Sequence, residues 1–177
     1  MSSPDQTVLP DHRGWAERLF SFPNPVNEIS ARLVAGGVVV IAAVIIIVDV
    51  PWLTVVLAYG FIARLLTGPT LSPLGQLSVR VVTPMLGLEP RLVPGPPKRF
   101  AQGIGVVFSV TAAVLALVFH LEAAADVTLG MLIVAAFLES VLGLCLGCKI
   151  FAILMRHGII PPEVCESCNN IALLGHA

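Results

Sequence analysis

Charge is what this sequence has least of. Of its 177 residues only 12% are Asp, Glu, Lys or Arg, whereas 56% are hydrophobic and the mean hydropathy is +0.93. A soluble domain of this size carries about 25% charged residues. The deficit leaves too little polar surface to cover a water-soluble globule, so lipid must solvate much of the chain. The net charge of −1 gives no reason to expect a nucleic-acid partner. The first 32 residues mix acids and bases without an apolar run, so no secretory signal is expected. Cysteine is also scarce: the chain has four, all in its last third, and everything upstream reads as apolar scaffold.

What is present is organised by proline, glycine and long apolar runs. Residues 1–10 read as a polar, proline-bearing tail. Residues 11–22 set Trp15, Leu19, Phe20 and Phe22 among Arg13, Glu17 and Arg18, the pattern of a short interfacial amphipathic helix. Pro23-Asn24-Pro25 stops it, and Asn27 is placed to cap the next helix. That helix is continuously apolar from Leu33 to Val48, long enough with its N-terminal flank to span a bilayer. Asp49-Val50-Pro51 reads as a tight turn, with Trp52 as an interfacial anchor. A second, short span is expected from Trp52 to about Leu66, forming a hairpin with the first.

Residues 67–99 change character. Leu74, Leu77, Val81, Val82 and Met85 recur near helical spacing between polar positions, a second interfacial amphipathic helix limited by Pro84. Residues 87–99, with Pro90, Pro94, Pro96 and Pro97, read as a rigid loop. A third span is expected from Phe100 to about His120, and a fourth, unbroken, from about Val127 to Met155, with Gly158 ending it. The chain thus divides into a tail and interfacial helix (1–22), a four-span membrane domain (23–156) and a cysteine-bearing tail (157–177). The fold expected is all-α, an integral membrane four-helix bundle with interfacial helices at the N-terminus and mid-chain. All ten basic residues lie in the N-terminal segment, the middle loop with its flanks, or the C-terminal side; the connections near Asp49 and Asp126 hold none. By the positive-inside rule both termini and the middle loop should be cytoplasmic.

The cysteines form two matched pairs, Cys145-Leu-Gly-Cys148 and Cys165-Glu-Ser-Cys168. Their spacing falls within the range for zinc sites, and four thiolates also suit iron. On an unbroken helix, Cys145 lies eleven residues before Arg156, about 16 Å into the membrane. A dithiolate at that depth is costly unless neutralised; a metal would neutralise it, with the tail folding inward to bring the second pair. The second reading is dithiol–disulfide chemistry, since i and i+3 thiols share a helix face and CxxC spacing lowers one thiol's pKa. A third leaves the cysteines as inert small hydrophobes. On the same unbroken helix Glu139, Gly143 and Gly147 form one stripe facing away from both cysteines, with the glycines as a close-packing seam. Arg64 and Glu139 are the only charges deep in the expected spans, so no transport path is evident. Their similar depth predicts a buried Arg64–Glu139 ion pair.

The stretches Phe22-Pro-Asn-Pro-Val-Asn-Glu28, Gly68-Pro-Thr-Leu-Ser-Pro73, Gly95-Pro-Pro-Lys-Arg-Phe-Ala-Gln-Gly103 and Phe137-Leu-Glu-Ser-Val-Leu-Gly-Leu-Cys-Leu-Gly-Cys148 resemble the bacterial membrane family catalogued as domain of unknown function 4395. The resemblance covers about residues 20–155, leaving Cys165 and Cys168 outside it. It implies a small four-helix protein of the bacterial plasma membrane associated with thioredoxin-like and sulfurtransferase-type proteins. The function expected is therefore a thiol–disulfide or sulfur relay using Cys145, Cys148, Cys165 and Cys168 with such a partner. A four-cysteine zinc or iron site and a non-catalytic assembly subunit of a larger membrane complex stand as the alternatives; whether the chain is an enzyme is left open.

Overall fold

The computed structural model describes residues 25–85 and 91–161. The expected N-terminal interfacial helix and the Cys165/Cys168 pair lie outside the described residues. The remainder is almost wholly helical. Helix α1 (Glu28–Val48) begins where Asn27 Oδ1 accepts the Ile29 N–H at 3.0 Å, as its sequence position suggested. It ends at Asp49, which adopts a left-handed conformation (φ 56°). Helix α2 (Leu53–Thr67) follows after that turn, then the short α3 (Pro73–Leu77), capped by Ser72. Beyond α3 the chain widens into a π-helical turn (Ser78–Val82) before a last α-helical turn (Thr83–Met85). Pro84 has no N–H to continue an α ladder. The turn is held instead by Ser78 Oγ donating to the Ser30 carbonyl (2.9 Å) and Thr83 Oγ1 donating to that of Ser78 (2.8 Å).

Among the described residues three helices are long and apolar enough to cross a membrane: α1, α4 (Gly95–Leu117) and α5 (Glu122–Leu142). At 21 to 23 residues each they reach about 30 to 35 Å, the thickness of a hydrocarbon core. Helix α2 is apolar but only 15 residues long, about 22 Å. Two boundaries differ from expectation. Helix α4 starts at Gly95 rather than Phe100, because Pro96 and Pro97 occupy its first turn, where a missing N–H costs nothing. The expected rigid loop before it also contains a strand, β2 (Leu92–Val93), paired antiparallel with β1 (Val26–Asn27). The expected unbroken fourth span is two helices: α5 stops at Leu142, and α6 (Leu146–Arg156) is separate.

Hydrogen bonds fix which helix ends lie together. The β1–β2 pair, the Glu28 N–H to Arg91 carbonyl bond (2.7 Å) and the Arg91–Glu28 ion pair (3.2 Å) join the starts of α1 and α4. Arg99 Nε donates to the Leu65 carbonyl (3.2 Å), bringing in the end of α2. Arg32 donates from Nε to the Ser140 carbonyl (3.2 Å) and from Nη2 to that of Val141 (2.8 Å), capping the end of α5. One end of the bundle therefore gathers the cationic residues, and the turns at Asp49 and His120 form the other. The expected α1–α2 hairpin is only a minor contact: α1 lies chiefly on α5 and α2 on α4, while α4 also packs on its sequence neighbour α5. Gly105 lets α2 and α4 approach, for a Cβ there would overlap the Phe61 ring. The buried core joins Val38, Ala42 and Ile45 of α1 to Leu57, Ala112 and Leu129.

Candidate functional site

The break between α5 and α6 builds the site. Gly143 takes φ +68°, a left-handed stop that favours glycine, and its N–H bonds the Glu139 carbonyl at 3.1 Å. Two residues later Cys145 is extended (φ −78°, ψ 101°) and becomes the N-cap of α6. Its Sγ accepts the backbone N–H of Cys148 at 3.3 Å, doing what a serine or aspartate oxygen does at other helix starts. Gly143 and Gly147 are thus not one helical seam. Gly143 is a stop, and Gly147 alone makes a close approach, set against Ala101 of α4. The Phe100 and Phe151 rings, 5.6 Å apart and tilted 58°, complete the α4–α6 contact.

Both cysteines are free thiols, Cys145 buried and Cys148 half-buried. The Cys148 thiol donates to the Cys145 sulfur, and this bond holds the Cys145 pKa below its ordinary value; burial and Glu139 oppose the shift, and Lys98 supports it. The same bond, with burial and the neighbouring thiolate, pushes the Cys148 thiol up. The pair is polarised: the shifts favour the charge on Cys145 and keep the proton on Cys148.

The cation beside the pair is Lys98, within the segment expected to be a rigid loop and here in the first turn of α4. Its Nζ lies 2.7 Å from Glu139 Oε1, so the expected Arg64–Glu139 ion pair is replaced by Lys98–Glu139. The reason is the earlier start of α4, which puts Lys98 on its first turn opposite α5. Arg64 is 95% buried (5% exposed) and bonded to neutral groups: Nε donates to Gln102 Oε1 (3.0 Å) and Nη1 to Ser72 Oγ (3.4 Å). Its guanidinium stacks 4.5 Å from the Phe61 ring centroid. Glu139 does not face away from the cysteines either, because the break at Gly143 turns Cys145 back into a cavity that Glu139 also lines. The signal that could have found Lys98 was the Pro-Pro pair before it, a helix-start signature.

Two cavities meet at Cys145. One, about 440 Å³, is central and largely apolar, with walls from α1, α2, α4, α5 and α6 and with Arg64, Glu139 and Cys145 among its lining residues. The other, about 340 Å³, opens at the cationic end of the bundle and is lined by both cysteines, Lys98, Lys149 and Glu28. Among the described residues no three His, Cys, Asp or Glu side chains converge as a metal site would require. Cys165 and Cys168, which the four-cysteine metal reading needs, lie outside the described residues.

A profile of the family described as domain of unknown function (DUF4395) matches residues 26–156, and the chain belongs to this family. The match takes in every helix described above and ends with α6. No curated protein and no solved structure matches the chain.

Proposed function

We propose that the chain is a bacterial plasma-membrane thiol–disulfide or sulfur-relay protein, with Cys145 as its nucleophile and Cys148 as its resolving thiol. The observation that carries this reading is Cys145 Sγ at the N-cap of α6, accepting the Cys148 N–H at 3.3 Å with Lys98 nearby. A helix N-terminus and an adjacent cation are the surroundings that make a thiolate available at neutral pH. With a disulfide-bearing partner, the Cys145 thiolate attacks one partner sulfur and releases the other as a thiolate, which takes up a proton. Cys148, losing its proton, then attacks Cys145 Sγ. A Cys145–Cys148 disulfide forms, and the partner leaves with both sulfurs reduced. The exchange runs backwards when the partner arrives reduced. With a persulfide-bearing sulfurtransferase, Cys145 takes the outer sulfur as its own persulfide and frees the partner's thiolate.

The 340 Å³ opening at the cationic end, lined by both cysteines, suits a soluble thioredoxin-like or sulfurtransferase protein approaching from the cytoplasm. In this reading α2 crosses as a short fourth span, both termini are cytoplasmic, and Cys165 and Cys168 form the second, relaying pair. The test uses purified protein and a thioredoxin-like partner. Cys148→Ser should trap a mixed disulfide through Cys145, and Cys145→Ser should trap none. Unchanged exchange by Cys148→Ser removes the reading. About one zinc or iron per chain, lost when all four cysteines are serine, replaces it with a metal site.

A further inference from the structure

Arg64 carries a buried donor with nothing to donate to. Its Nε and Nη1 are bonded, but Nη2 has no hydrogen-bond partner among the described residues, although the side chain is 95% buried (5% exposed). A buried guanidinium N–H left open is costly, and such groups in native structures usually mark an absent water, ion or ligand. The residue lines the 440 Å³ central cavity, which has the size and the mostly apolar walls of a small-molecule site with few polar anchors. Met131, Val134 and Ile150 in its wall are also exposed on the outer faces of α5 and α6. In a bilayer those faces meet acyl chains, so entry is from lipid. The local charge also favours an electron-rich ligand: Arg64 and Lys98 are cationic, and the nearby carboxylate, Glu139, is already bonded to Lys98.

We infer that the central cavity binds a lipid-soluble quinone, with one ring carbonyl accepting from Arg64 Nη2 and the ring facing Cys145. The redox half of this inference rests on the dithiol reading; the binding half does not. A quinone supplies what the cavity requires: an apolar body that partitions from lipid, and a carbonyl oxygen that gains negative charge as it is reduced. The arginine therefore favours the negative charge that develops on that oxygen during reduction, before it is protonated. In the step, the Cys145 and Cys148 thiols give two electrons and two protons to the quinone. One S–S bond forms, and both quinone oxygens become hydroxyls. The quinone is the oxidant that returns the pair to its disulfide after a reduced partner has exchanged with it.

Binding is measured with Cys148→Ser protein in nanodiscs, where disulfide formation within the pair is blocked, by titrating a short-chain quinone against empty nanodiscs. Saturable uptake of one quinone per chain is expected. Arg64→Met, which removes the donor, and Ala135→Phe, which fills the cavity and leaves Arg64 in place, should each weaken it by about tenfold or more. If Arg64→Met protein does not fold, Ala135→Phe decides. Uptake no greater than in empty nanodiscs, or saturable uptake indifferent to the variants, overturns the inference. So does displacement by a long-chain carboxylate at equal concentration, which would give the cavity to an acyl anion. The redox step is read separately as anaerobic bleaching of the quinone by reduced wild-type protein, lost in Cys145→Ser. Lost binding with intact exchange against a small disulfide sinks the quinone site alone. Intact binding with no exchange sinks the dithiol reading and leaves the site standing.

Discussion

Lys98 Nζ and Glu139 Oε1 meet at 2.7 Å across the α4–α5 contact, with only 9% and 18% of their side chains exposed. Each helix brings one charge into a largely apolar environment, and each charge is tolerable because of the other. Removing one partner of a buried pair leaves an uncompensated ion and costs about 3 to 5 kcal/mol, whereas removing both costs far less. Lys98→Met and Glu139→Gln should each lower stability in detergent by about 3 kcal/mol. The double variant should fall well short of the sum. A double-mutant cycle on thermal unfolding measures this, and strict additivity would show that the contact carries no coupling.

Lys98 also contributes to the reactivity of the thiols. The Cys148 bond is the main cause that holds the Cys145 pKa down; burial and Glu139 oppose it, and the Lys98 cation adds to it. A lowered pKa keeps the thiolate populated as pH falls, so alkylation of Cys145 should persist below the pH at which a free cysteine stops reacting. In Lys98→Met the supporting cation is gone and the opposing carboxylate remains. The alkylation profile should therefore move to higher pH, with slower reaction at pH 7. Iodoacetamide rates against pH, in a background where Cys165 and Cys168 are serine, provide the check. A profile unmoved by Lys98→Met would separate the cation from the thiol chemistry.

The long helices were legible from the sequence because apolar runs and proline punctuation act locally. Asn27 as a cap, the stop after Val48, and the end near Gly158 all follow from single residues with strong backbone preferences. The site was less legible, for one physical reason. Gly143 sits inside an apolar run that reads equally well as one long span, and only its left-handed conformation divides α5 from α6. Depth and facing arguments carried across that glycine consequently placed Cys145 deep in a helix and Glu139 on its far side. The Arg64–Glu139 pairing failed through a similar one-turn error, because Pro96 and Pro97 were read as loop-forming when they begin α4. Cys145 and Cys148 do lie together, but through the N-cap of α6, where Cys145 Sγ accepts the Cys148 N–H at 3.3 Å, and not as two thiols on one helix face.

Two glycines give opposite expectations for the same substitution. A Cβ on Gly147 would fall 2.6 Å from the Cα and Cβ of Ala101, so α6 must move away from α4 to admit it. Gly147→Ala should cost about 1 to 3 kcal/mol, the range for overpacking, and should disturb the Cys145 cap one turn away. Gly130 in α5 has nothing within 4 Å of such a Cβ. Gly130→Ala should be neutral or stabilise by up to about 1 kcal/mol through reduced backbone freedom. Unfolding midpoints in the same detergent compare the two. Equal effects would mean that α6 does not depend on its contact at Ala101.

Sidedness is decided by α2, the short helix. Arg32, Arg91, Lys98, Arg99 and Lys149 lie at or near the end of the bundle where α1 begins, and Asp49 and Glu122 mark the other. The positive-inside rule predicts that the Asp49 and Glu122 turns lie outside the cell. A 15-residue helix reaches about 22 Å and can cross only if the bilayer thins or the flanking residues reach out to its surfaces. Trp52 at its start, which is exposed, is a side chain of the type that anchors such a short span. In a cysteine-free background, Asp49→Cys and Glu122→Cys should react with a membrane-impermeant maleimide on intact cells. Arg91→Cys and Lys149→Cys should react only after the membrane is opened. Labelling of Asp49→Cys from the same side as Lys149→Cys would mean that α1 and α2 dip into one face without crossing, and would move the cysteine pair's soluble partner to the side that labelling identifies.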